Sequence, residues 1–242
     1  MARVDPVAAE LSPIAVPSVL ISGANRGLGL EFARQYAADG FVVHATARNP
    51  AAADALSGLG HRVHVHQLDI AEQTSMDALA RTLAGEPLDV LIVNSGIHRD
   101  FELPVDTIGR KDFLDVFAVN TFGPLALASA LLPNLALGER KLATAMSSLM
   151  SSITRNDWGT QHVYRASKTA LNAVWTSLAR EWKPRGIACV LIRPGYVRTA
   201  LTRFQGDLDP PESVTGLRNV IAGLSLADTG RLIGYDGRDL PW

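Results

Sequence analysis

The sequence predicts an α/β protein: a doubly wound parallel sheet of about seven strands with helices on both faces. Three observations carry that expectation. Short, near-continuous apolar runs alternate with stretches of helical periodicity along the chain, the pattern of strands buried on both sides. A glycine cluster stands where the first apolar run passes into the first helical stretch. No linker, composition shift or short repeat divides the chain, so residues 17–242 read as one domain behind a flexible tail at 1–16.

In order, Val19-Leu20-Ile21 is the first strand and Ser22 to Gly29 the glycine turn. Leu30, Phe32, Ala33, Tyr36 and Ala37 then recur with helical period until Gly40 closes the helix. Phe41 to Thr46 is the next strand, Ala51 to Leu56 a short helix and Val63 to Leu68 the third strand. A helix over Ser75–Ala84 and a strand over Leu88–Val93 continue the alternation. A long helix over Asp112–Leu135, a strand over Leu142–Ser147, a loop over Asn156–Thr160 and a helix over Val163–Trp182 follow. Gly186 to Ile192 is a further strand, broken by Pro194-Gly195, and Pro211 to Leu226 holds the last helix before Leu232-Ile233.

Composition narrows the function classes. Hydrophobic residues make up 47% and charged ones 19%, ordinary globular usage that indicates neither disorder nor a coiled coil. A formal net charge of −1 leaves no electrostatic footprint for nucleic acid or an anionic membrane, so small molecules are the expected partners. Cys189 is the only cysteine, which excludes an internal disulfide and a cysteine cage for zinc and suits the cytoplasm. Met1 to Pro17 lacks the apolar core of a signal peptide. Val116 to Gly138 is uncharged and long enough to span a bilayer, but Asn120, Gly123, Pro124, Pro133 and Asn134 favour a helix buried in protein or at a subunit interface.

Gly23, Gly27 and Gly29 have the spacing G-x-x-x-G-x-G. A tight turn with positive φ, a backbone that approaches a pyrophosphate and a helix packed close on a strand all call for glycine, as in a Rossmann-type dinucleotide site. In such a site an acid after the second strand accepts from the ribose 2′-hydroxyl, whereas arginine accommodates a 2′-phosphate. Thr46-Ala47-Arg48-Asn49 has no acid, and Arg48 with Arg26 offers bidentate donors, so NADP(H) is expected and NAD(H) is the alternative.

Tyr164 and Lys168 lie four residues apart on the penultimate helix and therefore share a face. A cation beside a phenol favours phenolate and lowers its pKa from ~10, which equips a tyrosine to exchange a proton with a substrate oxygen. With Gly23-x-x-x-Gly27-x-Gly29, Tyr164-x-x-x-Lys168 and Pro194-Gly195 in this order, the chain after the tail resembles the short-chain dehydrogenase/reductase family. Gly29-Leu30-Glu31 and the ending Gly234 to Trp242 resemble its C-factor and sniffer-type carbonyl reductases.

The resemblance implies roles residue by residue. Gly23, Asn25, Arg26, Gly27, Leu28 and Gly29 would cradle the cofactor, and Asp69, beside Ile70, would bind the adenine amino group. Asn94-Ser95-Gly96 resembles the family's Asn-Asn-Ala-Gly, with Val93 in place of its first Asn and Ser95 in place of Ala. Ser148, or less favourably Ser147, would hold the substrate carbonyl, and the loop Leu149 to Val163 is a few residues longer than is usual. Thr199, following Pro194-Gly195-Tyr196-Val197, would fix the nicotinamide carboxamide. Tyr164 would be the acid and Lys168 its tuner and the ribose ligand, while Asn120 would complete the set by binding a water. Pro124 lacks the N–H that a helix would aim at the Asn120 carbonyl, leaving that acceptor open. The implied reaction moves hydride between NADP(H) and a ketone, aldehyde or secondary alcohol in a homodimer or homotetramer.

Other residues invite blander readings. His61, His64 and His66 share a strand region, but no fitting carboxylate is near apart from Asp69, already assigned to the adenine, and no metal is expected. Trp158, His162 and Tyr196 stand beside the pocket in sequence and could equally be packing. Ala200 to Pro211 should cover the pocket; Leu201, Phe204 and Leu208 are apolar there, Arg203, Asp207 and Asp209 charged, and no substrate is legible in the mixture. A nucleotide-binding signalling or regulatory protein with little turnover is the alternative function.

Overall fold

The structure is a computed structural model that describes residues 16–242, so the expected tail falls almost wholly outside the described residues. Seven strands form one sheet: β1 (Ser18–Ile21), β2 (Val42–Ala47), β3 (Val63–Gln67), β4 (Val90–Val93), β5 (Leu142–Met146), β6 (Ala188–Arg193) and β7 (Leu232–Gly234). Their order is β3-β2-β1-β4-β5-β6-β7, and every neighbouring pair is parallel. Winding reverses between β1 and β4, which opens a crevice at the carboxyl ends of the central strands.

The apolar runs form strands because both sheet faces are covered. On one face α1 (Gly27–Ala38), the single-turn α2 (Asp54–Ser57) and α8 (Pro210–Gly223) pack Phe32, Leu56 and Leu217 against Ile21, Ile92 and Val190. On the other, α3 (Gln73–Thr82), α5 (Gly123–Ala130) and α7 (His162–Trp182) bring Met76, Leu127 and Trp175 onto Leu20, Leu91 and Leu191. Val93, where the resemblance leads one to expect asparagine, is buried in that second core and pairs in register with Ala145.

The expected long helix over Asp112–Leu135 is not continuous. It is α4 (Arg110–Phe117), a π-turn over Ala118–Phe122, α5, and α6 (Leu132–Leu137). Pro124 and Pro133 have no N–H to donate one turn back, so the α-helical ladder fails at both places and the chain widens or restarts. The stretch Arg110–Ala130 has the length and hydropathy of a membrane span, yet Val116 and Leu127 are buried in the protein while Phe113, Leu114 and Phe122 are exposed. The short helix expected over Ala51–Leu56 is divided between a 3₁₀ turn at Pro50–Ala52 and α2.

The histidines regroup across the sheet edge. His61 lies in the turn before β3, whereas His64 and His66 meet His44 of β2, and Nδ1 of His44 is 3.1 Å from Nε2 of His66. Burial, with His66 and His64 beside it, holds the His44 pKa down at about 4 from 6.5. The fold therefore favours the neutral ring, and the stability it supports is complete above pH 6.5 and is lost as pH falls through about 4. Between pH 7.5 and 5 this is worth about 2 kcal/mol, a drop of ~4–8 °C in Tm, and His44→Gln should flatten the slope. Calorimetry across that range checks it; equal slopes in parent and variant would contradict it.

Candidate active site

The predicted cofactor and catalytic residues converge on the crevice. All of them line it except Gly29 and Asn120, which shape it from behind. Its volume is about 1360 Å³, above the ~300–1000 Å³ typical of one small-ligand pocket, so a dinucleotide and a second molecule have room.

The turn between β1 and α1 is built for backbone approach. Gly23 has φ +65°, and a Cβ there would lie 2.8 Å from Ser95 Oγ. A Cβ on Gly29 would run into the Gly23 carbonyl and lie 2.7 Å from Asn94 Nδ2, so the helix sits on the strand only because that side chain is absent. Asn94 pins the turn, its Nδ2 donating to the carbonyls of Ser22 and Gly23 at 3.1 and 3.2 Å. The N–H groups of Asn94 and Ser95 both donate to Ser22 Oγ, at 3.1 and 3.0 Å. The open first turn of α1 faces the crevice with no acid in it, the arrangement that accepts an anionic pyrophosphate.

At the outer end Asn25, Arg26, Arg48 and Asn49 line the crevice, and Arg26 and Arg48 are exposed. Neither arginine forms an ion pair among the described residues. Asp69 follows β3, its Oδ1 accepting from the Ala71 N–H at 3.1 Å, and Ile70 is buried beside it. These residues fit an NADP dinucleotide: a cradle that a Cβ would fill, an open helix terminus and two unpaired guanidinium groups.

At the inner end stand Tyr164, Lys168 and Ser148. Leu171, Trp175, Leu178 and Trp182 seat α7 on the sheet, which turns Tyr164 and Lys168 inward one turn apart. The helix is capped from outside. Gln161, in the left-handed region at φ 54°, gives no side-chain cap, and the buried Asp100 carboxylate instead accepts the N–H groups of Val163 (2.7 Å) and Tyr164 (3.3 Å). Ser148 caps a 3₁₀ turn through the Met150 N–H at 3.1 Å and borders the phenol, whereas Ser147 is committed to Asn172 at 2.7 Å. That favours Ser148 over Ser147 as the carbonyl ligand.

The electrostatics differ from the simple expectation of a phenol tuned by its lysine. Burial pushes the Tyr164 phenol up to about 12; the Ser148 hydroxyl pulls it down and Asp100 adds to the rise. Lys168 is brought down to about 8 by burial, and its Nζ donates to the Met146 carbonyl at 2.7 Å, 5.9 Å from the Tyr164 ring centre. Desolvation dominates, so Tyr164 is a protonated phenol at neutral pH.

Asn120 is fully buried inside the π-turn. Its Nδ2 donates to the Ile97 carbonyl (2.9 Å) and Ser167 Oγ (3.0 Å), and its Oδ1 accepts the Ile97 N–H (2.9 Å). Ser167 Oγ in turn donates to the Tyr164 carbonyl at 2.7 Å. The Asn120 amide thus ties the loop after β4 to α7, with both Nδ2 hydrogens engaged. No side-chain donor reaches the Asn120 backbone carbonyl among the described residues.

Pro194, Gly195, Val197 and Thr199 line the wall after β6, with Thr199 Cγ2 3.6 Å from where a Cβ on Gly27 would be. Trp158 and Tyr196 reach the crevice and His162 does not; Trp158 carries the Arg165 guanidinium at 4.3 Å. His98, Asp100 and Phe101 were not legible as site residues, although the His-x-Asp spacing directly after Gly96-Ile97 was a signal.

Residues 17–208 match the short chain dehydrogenase family. The C-signal protein of Myxococcus xanthus is 35% identical over 167 residues, 69% of this chain and 100% of that protein. An NADPH-bound carbonyl reductase from chicken fatty liver superposes with a TM-score of 0.86 at 31% identity, covering 95% of this chain and 100% of that one. The carbonyl reductase Sniffer of D. melanogaster gives 0.87 at 30%, covering 94% and 100%. A parallel sheet in this order, a glycine turn under an open crevice and a family match across most of the sheet lead to one conclusion: the chain belongs to the short chain dehydrogenase family.

Proposed function

We propose that the protein is an NADP(H)-dependent oxidoreductase of the carbonyl reductase or alcohol dehydrogenase type, acting on a ketone, an aldehyde or a secondary alcohol, with residues 17–242 as one catalytic unit. The observation that carries this reading is the meeting of Ser148 and a protonated Tyr164 at the inner end of a crevice sized for a dinucleotide and a second ligand. When bound, the dinucleotide supplies or takes up the hydride. Tyr164 holds the proton that a carbonyl oxygen requires as charge grows on it, and the Ser148 hydroxyl offers that oxygen a second hydrogen bond. Lys168 keeps a cation one turn from the phenol and, by the family's pattern, grips the nicotinamide ribose. Asn120 presents its carbonyl to the water that returns the proton, with Pro124 unable to block it.

Arg26 and Arg48 support NADP(H) over NAD(H), and the full set of proton-handling residues favours turnover over a signalling role. The exposed Phe113, Leu114 and Phe122 support self-association as a dimer or tetramer, and the lone buried thiol of Cys189, pushed up to about 12 by burial, suits a reducing cytoplasm. NADPH oxidation followed against a panel of ketones and aldehydes tests the function. Reduction of at least one class is expected; NADPH binding with no turnover across the panel would favour the signalling alternative.

A further inference from the structure

Tyr164 is held by more than its own helix. Asp100 Oδ1, which accepts the Tyr164 N–H at 3.3 Å, also lies 3.5 Å from Nε2 of His98. The His98 imidazole stacks on the Tyr164 ring, with centroids 4.2 Å apart and planes 23° from parallel. Phe101 packs against the imidazole at 4.7 Å between centroids, and the Arg203 guanidinium covers Phe101 at 4.6 Å. Arg203 comes from the segment after β6 and lies 3.5 Å from Glu102. A continuous stack therefore runs from the mouth of the crevice down to the phenol.

His98 is an expensive residue to place there. Its side chain is 4% exposed, and Nε2 is buried without a hydrogen bond, 3.5 Å being too long for one. A buried nitrogen without a partner costs stability, and such groups in a native fold call for a reason. Burial holds the imidazole down at about 4, Asp100 pulling it up and Arg203 pushing it further down, so the ring is neutral at working pH. A flat neutral ring on the phenol sets its plane without placing a charge beside the hydroxyl.

We propose that His98 is a positioning residue for Tyr164: stacked on the phenol and backed by Phe101, it holds the ring in the plane from which the hydroxyl reaches a carbonyl substrate. The proposal rests on the reductase reading above. A misplacement of about 1 Å at a reacting group costs on the order of 100-fold in rate, so a loosened phenol has a measurable consequence.

The test uses the full chain with NADPH and 4-nitrobenzaldehyde as the probe. His98→Ala is expected to lower kcat ~10–100-fold with a much smaller change in KM, and to leave NADPH affinity by fluorescence titration within about twofold. His98→Phe returns a ring to the stack and is expected to recover most of the lost kcat. Equal losses in the two variants, or no loss in His98→Ala, would overturn the proposal. A second measurement needs no turnover and decides whatever the parent's activity on this probe. In NMR spectra the His98 Cε1–H resonance is expected to move when Tyr164→Leu removes the aromatic neighbour and to stay when Tyr164→Phe keeps it. A resonance indifferent to both removes the stack. Tyr164→Phe also tells the two failures apart: if it reduces the probe as well as the parent, the reductase reading fails. An inactive Tyr164→Phe beside a fully active His98→Ala sinks the positioning role alone.

Discussion

Tyr164→Phe is expected to lower kcat by ~1000-fold or more while NADPH affinity stays within about twofold, because it removes one hydroxyl and leaves the ring, the helix and the cofactor wall in place. The ring's contacts are apolar or stacking, and the backbone of Tyr164 is held through its N–H by Asp100 and through its carbonyl by Ser167. None of these involves the phenolic oxygen, so the variant should fold. What it lacks is the phenolic proton: burial keeps the phenol protonated, with a pKa of about 12. The Ser148 hydroxyl remains as one hydrogen-bond donor, which accounts for a small residual rate. Steady-state kinetics on any carbonyl compound the parent reduces, with NADPH binding measured separately, checks this. A variant within tenfold of the parent would take Tyr164 out of the acid's role.

The second large effect concerns cofactor choice. Arg26→Ala combined with Arg48→Ala should weaken NADP(H) binding ~100-fold or more while NAD(H) binding changes little, since charge-assisted bonds to phosphate are among the stronger single contacts. Both arginines line the outer end of the crevice without an ion-pair partner among the described residues, so their removal strands no carboxylate. The loss of NADP affinity should also shrink as salt is raised on the parent, because exposed cations are screened. Titrating both cofactors into parent and variant decides the matter. Equal weakening of NAD and NADP would mean that the arginines hold the shared pyrophosphate or shape the loop, and parent binding tighter for NAD would reverse the assignment.

Much of this site is legible in the sequence. Gly23, Gly27 and Gly29 announce themselves because their demands are local: φ, close approach and packing depend on the residue and its immediate neighbours. Tyr164 and Lys168 announce themselves because helical spacing converts four residues of sequence into one turn of space. The strands were legible for a similar reason, as runs buried on both faces carry no polar alternation to obscure them. The break of the expected helix over Asp112–Leu135 was also written locally, in Pro124 and Pro133, but its outcome as a π-turn holding Asn120 was not, since it depends on what the freed groups find to bond.

What required the folded molecule is whatever depends on distance through space and on burial. The pattern of residues suggested that Lys168 would lower the Tyr164 pKa, yet the phenol is pushed up, because in the fold both groups lose water and Nζ turns to the Met146 carbonyl. His98, Asp100 and Arg203 are separated from Tyr164 by some forty to seventy residues of chain, and only the parallel crossovers that bring the ends of β4 and β6 beside α7 place them in one stack. The sequence thus carried the sheet and the glycine turn, since these follow from periodicity and local sterics. The sign of the phenol's tuning, the engagement of both Asn120 Nδ2 hydrogens and the ring stacked on Tyr164 came from packing, where desolvation and contacts between distant segments set the balance.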